Sequence, residues 1–145
     1  MSTGFRGLYD HKVDDRGRVA IPARYRQEFL TGAVVAMSRE GSVQVYTATG
    51  FEEKSSREAS IPDTIQAGRR SRRRFDALSF DAELDRQGRI LLPQRFREAA
   101  ELKGPVVIAG CRECLEIWNP DRWATELQAA QEQAEDFPAE QVSEV

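Results

Sequence analysis

The sequence predicts an α+β fold, mainly β: one pseudo-twofold domain built from two internal repeats with flanking helices. Three observations carry this. Residues 13–26 read VDDRGRVAIPARYR and residues 84–97 read LDRQGRILLPQRFR. Asp14, Gly17, Arg18, Pro22, Arg24 and Arg26 therefore recur 71 residues later as Asp85, Gly88, Arg89, Pro93, Arg95 and Arg97. Apolar positions also match in type: Val13 with Leu84, Val19 with Ile90, Ile21 with Leu92, Tyr25 with Phe96. The likeness resumes at an offset of 72, where Val34-Val35-Ala36 aligns with Val106-Val107-Ile108 and Val43-Gln44-Val45-Tyr46 with Leu115-Glu116-Ile117-Trp118. Two copies of so long a unit do not make a solenoid, which leaves a pseudo-symmetric single domain. The chain divides into a first repeat (8–50), a connecting helical segment (51–78), a second repeat (79–122), and a helix end with an acidic tail (123–145).

Each unit gives the same element order. Residues 8–13 read as a strand, Asp14-Asp15-Arg16-Gly17 as a tight turn with Asp early and Gly late, and residues 18–21 as the next strand. Pro22 suits the first position of a helix over residues 23–30, with Thr31-Gly32 as its stop. Tyr25 and Phe29, four apart, define its apolar face. Residues 33–37 and 42–46 form a hairpin around Ser38-Arg39-Glu40-Gly41. Thr49 is placed to cap a helix over residues 50–58. In the second unit residues 77–84 and 89–92 flank the Asp85-Arg86-Gln87-Gly88 turn, and Pro93 opens a helix that stops near Lys103-Gly104. Residues 106–109 and 115–118 form the second hairpin. Asn119 and Pro120 read as cap and first residue of a helix to about Gln133. The last ten or so residues are polar, acidic and expected to fray.

A chain of 145 residues favours one domain with a real core. No apolar run reaches the ~18 residues of a membrane span, and the N-terminus lacks a signal-peptide stretch, so a cytoplasmic protein is expected. The net charge of −3 hides an uneven distribution. Residues 1–122 hold 21 bases against 18 acids, whereas six acids and no base follow Arg122. Eighteen of the bases are Arg, whose planar fork matches phosphates and guanine edges. An Arg-rich, GC-rich genome would give the same enrichment. Arg placed on repeated turns is the stronger sign.

Asp-x-x-x-Arg alone is a common turn. Here it recurs inside β-turn-β, followed each time by Pro and then Arg-aromatic-Arg. On these residues, FRGLYDHKVDDRGRVAIPARYR and ELDRQGRILLPQRFR, the chain resembles the MraZ family of bacterial transcriptional regulators, which groups with AbrB-like swapped-hairpin barrels. The resemblance extends to about Trp123. It implies a barrel built from both repeats of one chain. It further implies a ring-shaped homo-oligomer binding double-stranded DNA at short direct repeats, in the promoter of the division and cell wall gene cluster that includes the protein's own gene. A nucleoid-associated cytoplasmic location goes with that, and neither an enzyme, a cofactor, a metal, a membrane nor a small-molecule substrate is expected. The motifs carry over as Asp14 to Arg18 and Asp85 to Arg89. Asp15 and Arg86 differ between the turns, so the two contacts need not be equal.

The candidate DNA contacts are Asp14, Arg16, Arg18, Asp85, Arg86 and Arg89 on the turns, with Arg24 and Arg95 early in the following helices. A turn Arg can fork onto a base edge or phosphate while its Asp sets the direction. Arg24, Arg26, Arg95 and Arg97 oppose a helix dipole, which a bound phosphate or an intersubunit carboxylate would offset. Covering the core with an aliphatic stem is the equal alternative for one of each pair. The run 69–74, Gly68 followed by Arg69-Arg70-Ser71-Arg72-Arg73-Arg74, reads as a solvated face or subunit contact ahead of a phosphate-binding strip. Cys111-Arg112-Glu113-Cys114 lies in a hairpin turn with only His11 as a further soft ligand, so neither a zinc site nor a thioredoxin-like site is expected. A scaffold ring that binds protein partners, with DNA secondary, is the alternative function.

Overall fold

The computed structural model describes residues 4–135. The first repeat comprises β1 (Leu8–Val13), β2 (Arg18–Ala20), a 3-10 helix (Ala23–Phe29), β3 (Ala33–Met37) and β4 (Val43–Thr47). The helices α1 (Ala48–Glu58) and α2 (Gln66–Phe75) connect it to the second: β5 (Phe80–Ala82), β6 (Arg89–Leu91), α3 (Gln94–Ala100), β7 (Gly104–Gly110), β8 (Leu115–Trp118) and α4 (Pro120–Glu135).

The eight strands form one antiparallel sheet in the order β5-β3-β4-β8-β7-β1-β2-β6. The two outermost strands are consecutive in the chain, and the Asp85 amide donates to the Arg89 carbonyl at 2.9 Å where they meet. The sheet is therefore a nearly closed barrel, which leaves little free edge. Its pairings exchange the repeats: β1 pairs with β7 and β5 with β3. On the pseudo-twofold axis β2 pairs with β6, Val19 facing its own counterpart Ile90, and β4 pairs with β8, Gln44 facing Glu116. Val19, Ile21, Ile90, Leu92, Ile108, Leu115 and Ile117 are fully buried. Each such side chain contributes about 1.5–3 kcal/mol of apolar burial, so neither repeat closes its core without the other.

Strand register shifts the alignment of the repeats. The core-facing residues are Ala33 and Val35 in β3 and Val106 and Ile108 in β7, an offset of 73 rather than 72. In an all-apolar run the sequence cannot say which alternate residues point inward. The hairpin turn then restores 72, since Val43 and Val45 match Leu115 and Ile117. On the outer face Tyr46 and Phe51 meet edge-on at 6.0 Å, and their counterparts Trp118 and Trp123 pack with tilted rings at 5.7 Å.

Several local expectations are corrected. Pro22 and Pro93 precede their helices in extended conformation (ψ 132° and 140°), and their carbonyls accept the first helical hydrogen bonds. The first of these helices is 3-10, with Tyr25 donating back to Pro22. It has seven residues and no side-chain cap, a length at which the tighter winding competes. Helix α3 ends at Ala100 because Glu101 turns left-handed (φ 54°) and Leu102 donates to the Arg97 carbonyl. Helix α1 is capped by Thr47, not Thr49: its Oγ1 accepts from the Gly50 amide at 2.9 Å. Helix α2 starts at Gln66, after a turn at Pro62, and Gly68 lies so close to the Pro62 carbonyl that no side chain would fit. Asn119 caps α4 as expected, its Oδ1 accepting from the Asp121 and Arg122 amides. The tail expected to fray lies, beyond Glu135, outside the described residues.

Candidate nucleic-acid interface

The two Asp–Arg turns are built alike, atom for atom. Asp14 Oδ1 accepts from the amides of Arg16 (2.9 Å) and Arg18 (2.8 Å), and its Oδ2 accepts from Arg18 Nε (3.0 Å). Asp85 Oδ1 accepts from the amides of Gln87 (2.9 Å) and Arg89 (3.0 Å), and its Oδ2 from Arg89 Nε (3.0 Å). Gly17 and Gly88 donate to the Asp14 and Asp85 carbonyls from left-handed positions (φ +82° and +75°), where a side chain is strained. These bonds hold both carboxyls below the ordinary carboxylate value. The amide of the arginine four residues on is the largest cause, burial opposes it, and the amide two residues on and the arginine side chain add to it. Each Asp is thus a spent acceptor that aims its Arg.

The pairing of β2 with β6 brings the two turns together. Arg89 Nη1 crosses to Asp14 Oδ2 at 3.4 Å, so Arg18 and Arg89 bind one carboxylate oxygen from opposite repeats. Each turn is also anchored to the other repeat's strand: Ile21 donates to the Gly88 carbonyl and Leu92 to the Gly17 carbonyl, both at 2.9 Å. Arg16, Arg86 and Gln87 are exposed at the rim. Gln87 Oε1 accepts from Arg89 Nη2. The outcome is one cationic patch made of both turns.

Arg24 and Arg95 are exposed and stand off the turns. The Arg24 guanidinium lies over the Tyr25 ring, 4.9 Å from its centre, and Arg95 lines a groove beside Phe96. The arginines two residues on brace the turns instead. Arg26 Nε donates to the Ile21 carbonyl and Arg97 Nε to the Leu92 carbonyl, each at 3.0 Å. Their guanidiniums lie across Gly88 and Gly17 respectively.

Sequence reasoning missed Leu91. Strand alternation turns Ile90 inward and leaves Arg89 and Leu91 on the outer face, where Leu91 sits opposite Arg18 and is 57 % exposed. An outward Leu two residues after the turn Arg was the available signal. Arg69 and Arg72 of α2 donate to carbonyls at Asp63, Ala59, Ile61 and Gly68, so part of that run holds the α1–α2 connection. Arg70, Arg73 and Arg74 are exposed.

The cysteines do not form a reactive pair. Cys111 donates to Glu116 Oε1 and Cys114 is buried. Burial and then the Glu116 carboxylate push both thiols up to about 12. His11 is lowered by burial and then by Arg26. Among the described residues no three His, Cys, Asp or Glu side chains gather as a metal site. Nor is any helix there long and apolar enough to cross a membrane.

The chain is 40 % identical to the "Transcriptional regulator MraZ" of Roseiflexus castenholzii over 86 % of this chain and 87 % of the relative. It is 40 % identical to that of Moorella thermoacetica, over 82 % and 83 %, and 32 % identical to that of Limosilactobacillus fermentum, over 92 % and 91 %. The family model described as "MraZ protein, putative antitoxin-like" matches twice, over residues 5–74 and 79–143, which are the two repeats whose turns meet in the patch. With both copies matched and the swapped barrel in place, the chain belongs to the MraZ family.

Proposed function

We propose that the chain is a sequence-specific DNA-binding transcriptional regulator that reads double-stranded DNA through the paired Asp–Arg turns. The reading rests on one observation above all: Arg18 and Arg89 converge on a single Asp14 oxygen, beside the exposed arginines Arg16 and Arg86. A two-stranded ribbon fits the major groove, and the outer face of β2 and β6 with its turns is such a ribbon. Arg18 and Arg89 are the base-reading candidates, aimed by Asp14 and Asp85. Arg16 and Arg86 contact flanking phosphates or bases. Arg24 and Arg95 are outlying phosphate contacts, and Leu91 offers an apolar contact of the kind that meets a thymine methyl. The relatives named as transcriptional regulators support the same class of activity.

The expected target is short direct repeats in the promoter of the division and cell wall gene cluster, including the protein's own gene, in nucleoid-associated cytoplasm. The expected binding form is a ring-shaped homo-oligomer. One patch is small, so one box is bound weakly. A ring makes the second contact intramolecular, which adds about 10²–10⁴ in avidity.

The test is binding of the purified chain to duplexes carrying one box, or two boxes at varied spacing, over a salt series. Strong spacing dependence and a steep fall of log affinity with log salt are expected. Equal affinity for all duplexes would refute the avidity reading, and a flat salt response the phosphate-contact reading.

A further inference from the structure

Pseudo-symmetry exposes a slot that one repeat fills and the other leaves open. In the first repeat the N-terminal segment lies against the end of β7. Phe5 and Arg112 exchange two backbone bonds at 2.8 Å, and Gly110 donates to the Gly7 carbonyl at 2.8 Å. Phe5 is buried there, edge-on to Tyr25 at 4.9 Å and stacked on Phe29 at 5.5 Å. The counterparts in the second repeat, by the register of β3 and β7, are Arg39 for Arg112 and Met37 for Gly110. Phe96 and Ala100 replace Tyr25 and Phe29. Phe96 and Ala100 are themselves buried, with Phe80 edge-on to Phe96 at 5.5 Å. Among the described residues, however, β5 pairs with β3 only as far as Val35, and no segment runs beside Met37 and Arg39 as the N-terminal one runs beside Gly110 and Arg112. The chain reaches β5 through α2 and the turn after Phe75, so the residues equivalent to Phe5 and its neighbours are elsewhere. A groove of about 620 Å³ remains.

Its floor and walls include Met37, Phe75, Leu78 and Phe96, and Leu78 is 41 % exposed. Its rim carries Arg39, Arg74, Arg95 and Lys54 against Glu40 and Glu58. Glu58 is paired with Lys54 at 3.2 Å. The groove thus fits an extended peptide with an aromatic anchor, as Phe5 is in the other repeat, but an acidic one.

The chain carries such a peptide. Glu135-Asp136-Phe137-Pro138-Ala139-Glu140 holds one aromatic among three acids, in a stretch without a base. We propose that this groove receives the C-terminal segment 135–145 of a second copy, with Phe137 against the exposed Leu78. The first turn of α4 sits next to the groove, since Arg122 Nη1 donates to the carbonyls of Gly41 (3.3 Å) and Ala99 (3.0 Å). Side chains 128–134 are all exposed, so the helix leaves the body of its own copy. Glu135 lies about 20 Å beyond Arg122 at the α-helical rise. Phe137 follows Glu135 by at most about 7 Å of extended chain, which favours the groove of a second copy over its own. Charge complementarity across the rim adds register and association rate.

The inference does not rest on the DNA reading, and its experiment contains no DNA. Full-length chain carrying the photo-crosslinker benzoylphenylalanine in place of Phe137 is mixed with unmodified chain labelled with ¹⁵N and irradiated. Expected are adducts between unlabelled and labelled copies, mapping to residues 74–78 or 95–99. An Arg39→Glu, Arg74→Glu acceptor, checked by circular dichroism, should cut their yield at least fivefold. Adducts only within one chain, adducts elsewhere, no adducts, or an unchanged yield with the charge-reversed acceptor would each overturn the proposal.

Discussion

Removing Arg18 should separate binding from folding. In Arg18→Ala the Asp14 carboxylate keeps its bonds from the Arg16 and Arg18 amides and gains a freer partner in Arg89 Nη1. The turn therefore survives. The Arg18 side chain is 29 % exposed, in the range where an ion pair contributes about 0–1 kcal/mol, so thermal stability should hardly move. A lost base contact costs about 1–3 kcal/mol. That is roughly 5- to 150-fold in affinity. Arg89→Ala should behave likewise. Because both arginines share one Asp14 oxygen, the double variant should depart from additivity. Fluorescence anisotropy on an operator duplex at fixed salt, with circular dichroism melts of all four proteins, completes the cycle. Unchanged affinity in the double variant refutes the site. A collapse of the melting midpoint instead makes the arginines structural.

Gly17→Ala should destabilise the fold by about 1–2 kcal/mol or more, since its φ is +82° and a methyl group would run into the Arg97 guanidinium; a denaturant titration against wild type reads this directly. Cys111→Ser with Cys114→Ser should bind DNA as wild type does, and the native thiols should alkylate slowly at pH 8 because both are pushed up to about 12. Stoichiometric zinc in the purified protein would contradict that. Asp14 and Asp85 are depressed in the fold, so their contribution to stability is present above the ordinary value of 3.8 and lost as pH falls through the folded values. Melting midpoints from pH 5 downward should fall less steeply in Asp14→Asn with Asp85→Asn than in wild type, and identical slopes would discredit the carboxylate assignment.

What the sequence reveals and hides follows from the range of each interaction. The Asp–Arg turns are legible because Asp, Gly and Arg satisfy one another within five residues. The duplication is legible for the same reason. The exchange of β1 and β5 between repeats is legible only through the resemblance to swapped-hairpin barrels, because pairing partners such as Tyr9 and Ile108 are set by the closed core and by no local residue. The register of β3 was hidden by its own composition: Ala33 to Ala36 are all buried, so alternation carries no mark. Arg24 and Arg26 look equivalent on either side of Tyr25. Only the neighbouring repeat's turn, lying under Arg26, distinguishes the brace from the exposed arginine.

Duplication within one chain also gives the patch a direction. A barrel made of two identical chains has a true twofold axis, and such an axis matches inverted half-sites. Here the axis is broken at the rim. The first turn carries Asp15 and Arg16 where the second carries Arg86 and Gln87, so the positive charge steps by one position between them. An element with polarity distinguishes the two orientations of a box, which favours boxes repeated head to tail. Asp15→Arg with Arg16→Gln makes the first turn identical to the second, DRQGR in both. The bonds that hold the turn use the Arg16 amide and not its side chain, so the fold should persist. The variant should lose discrimination between direct and inverted pairs of boxes, as measured by anisotropy on duplexes that differ only in the orientation of the second box. A wild-type protein without orientation preference would sink the idea at its root. A variant that keeps the full preference would shift the source of polarity from the turns to Leu91 and its smaller counterpart Ala20, the other break in symmetry on that face.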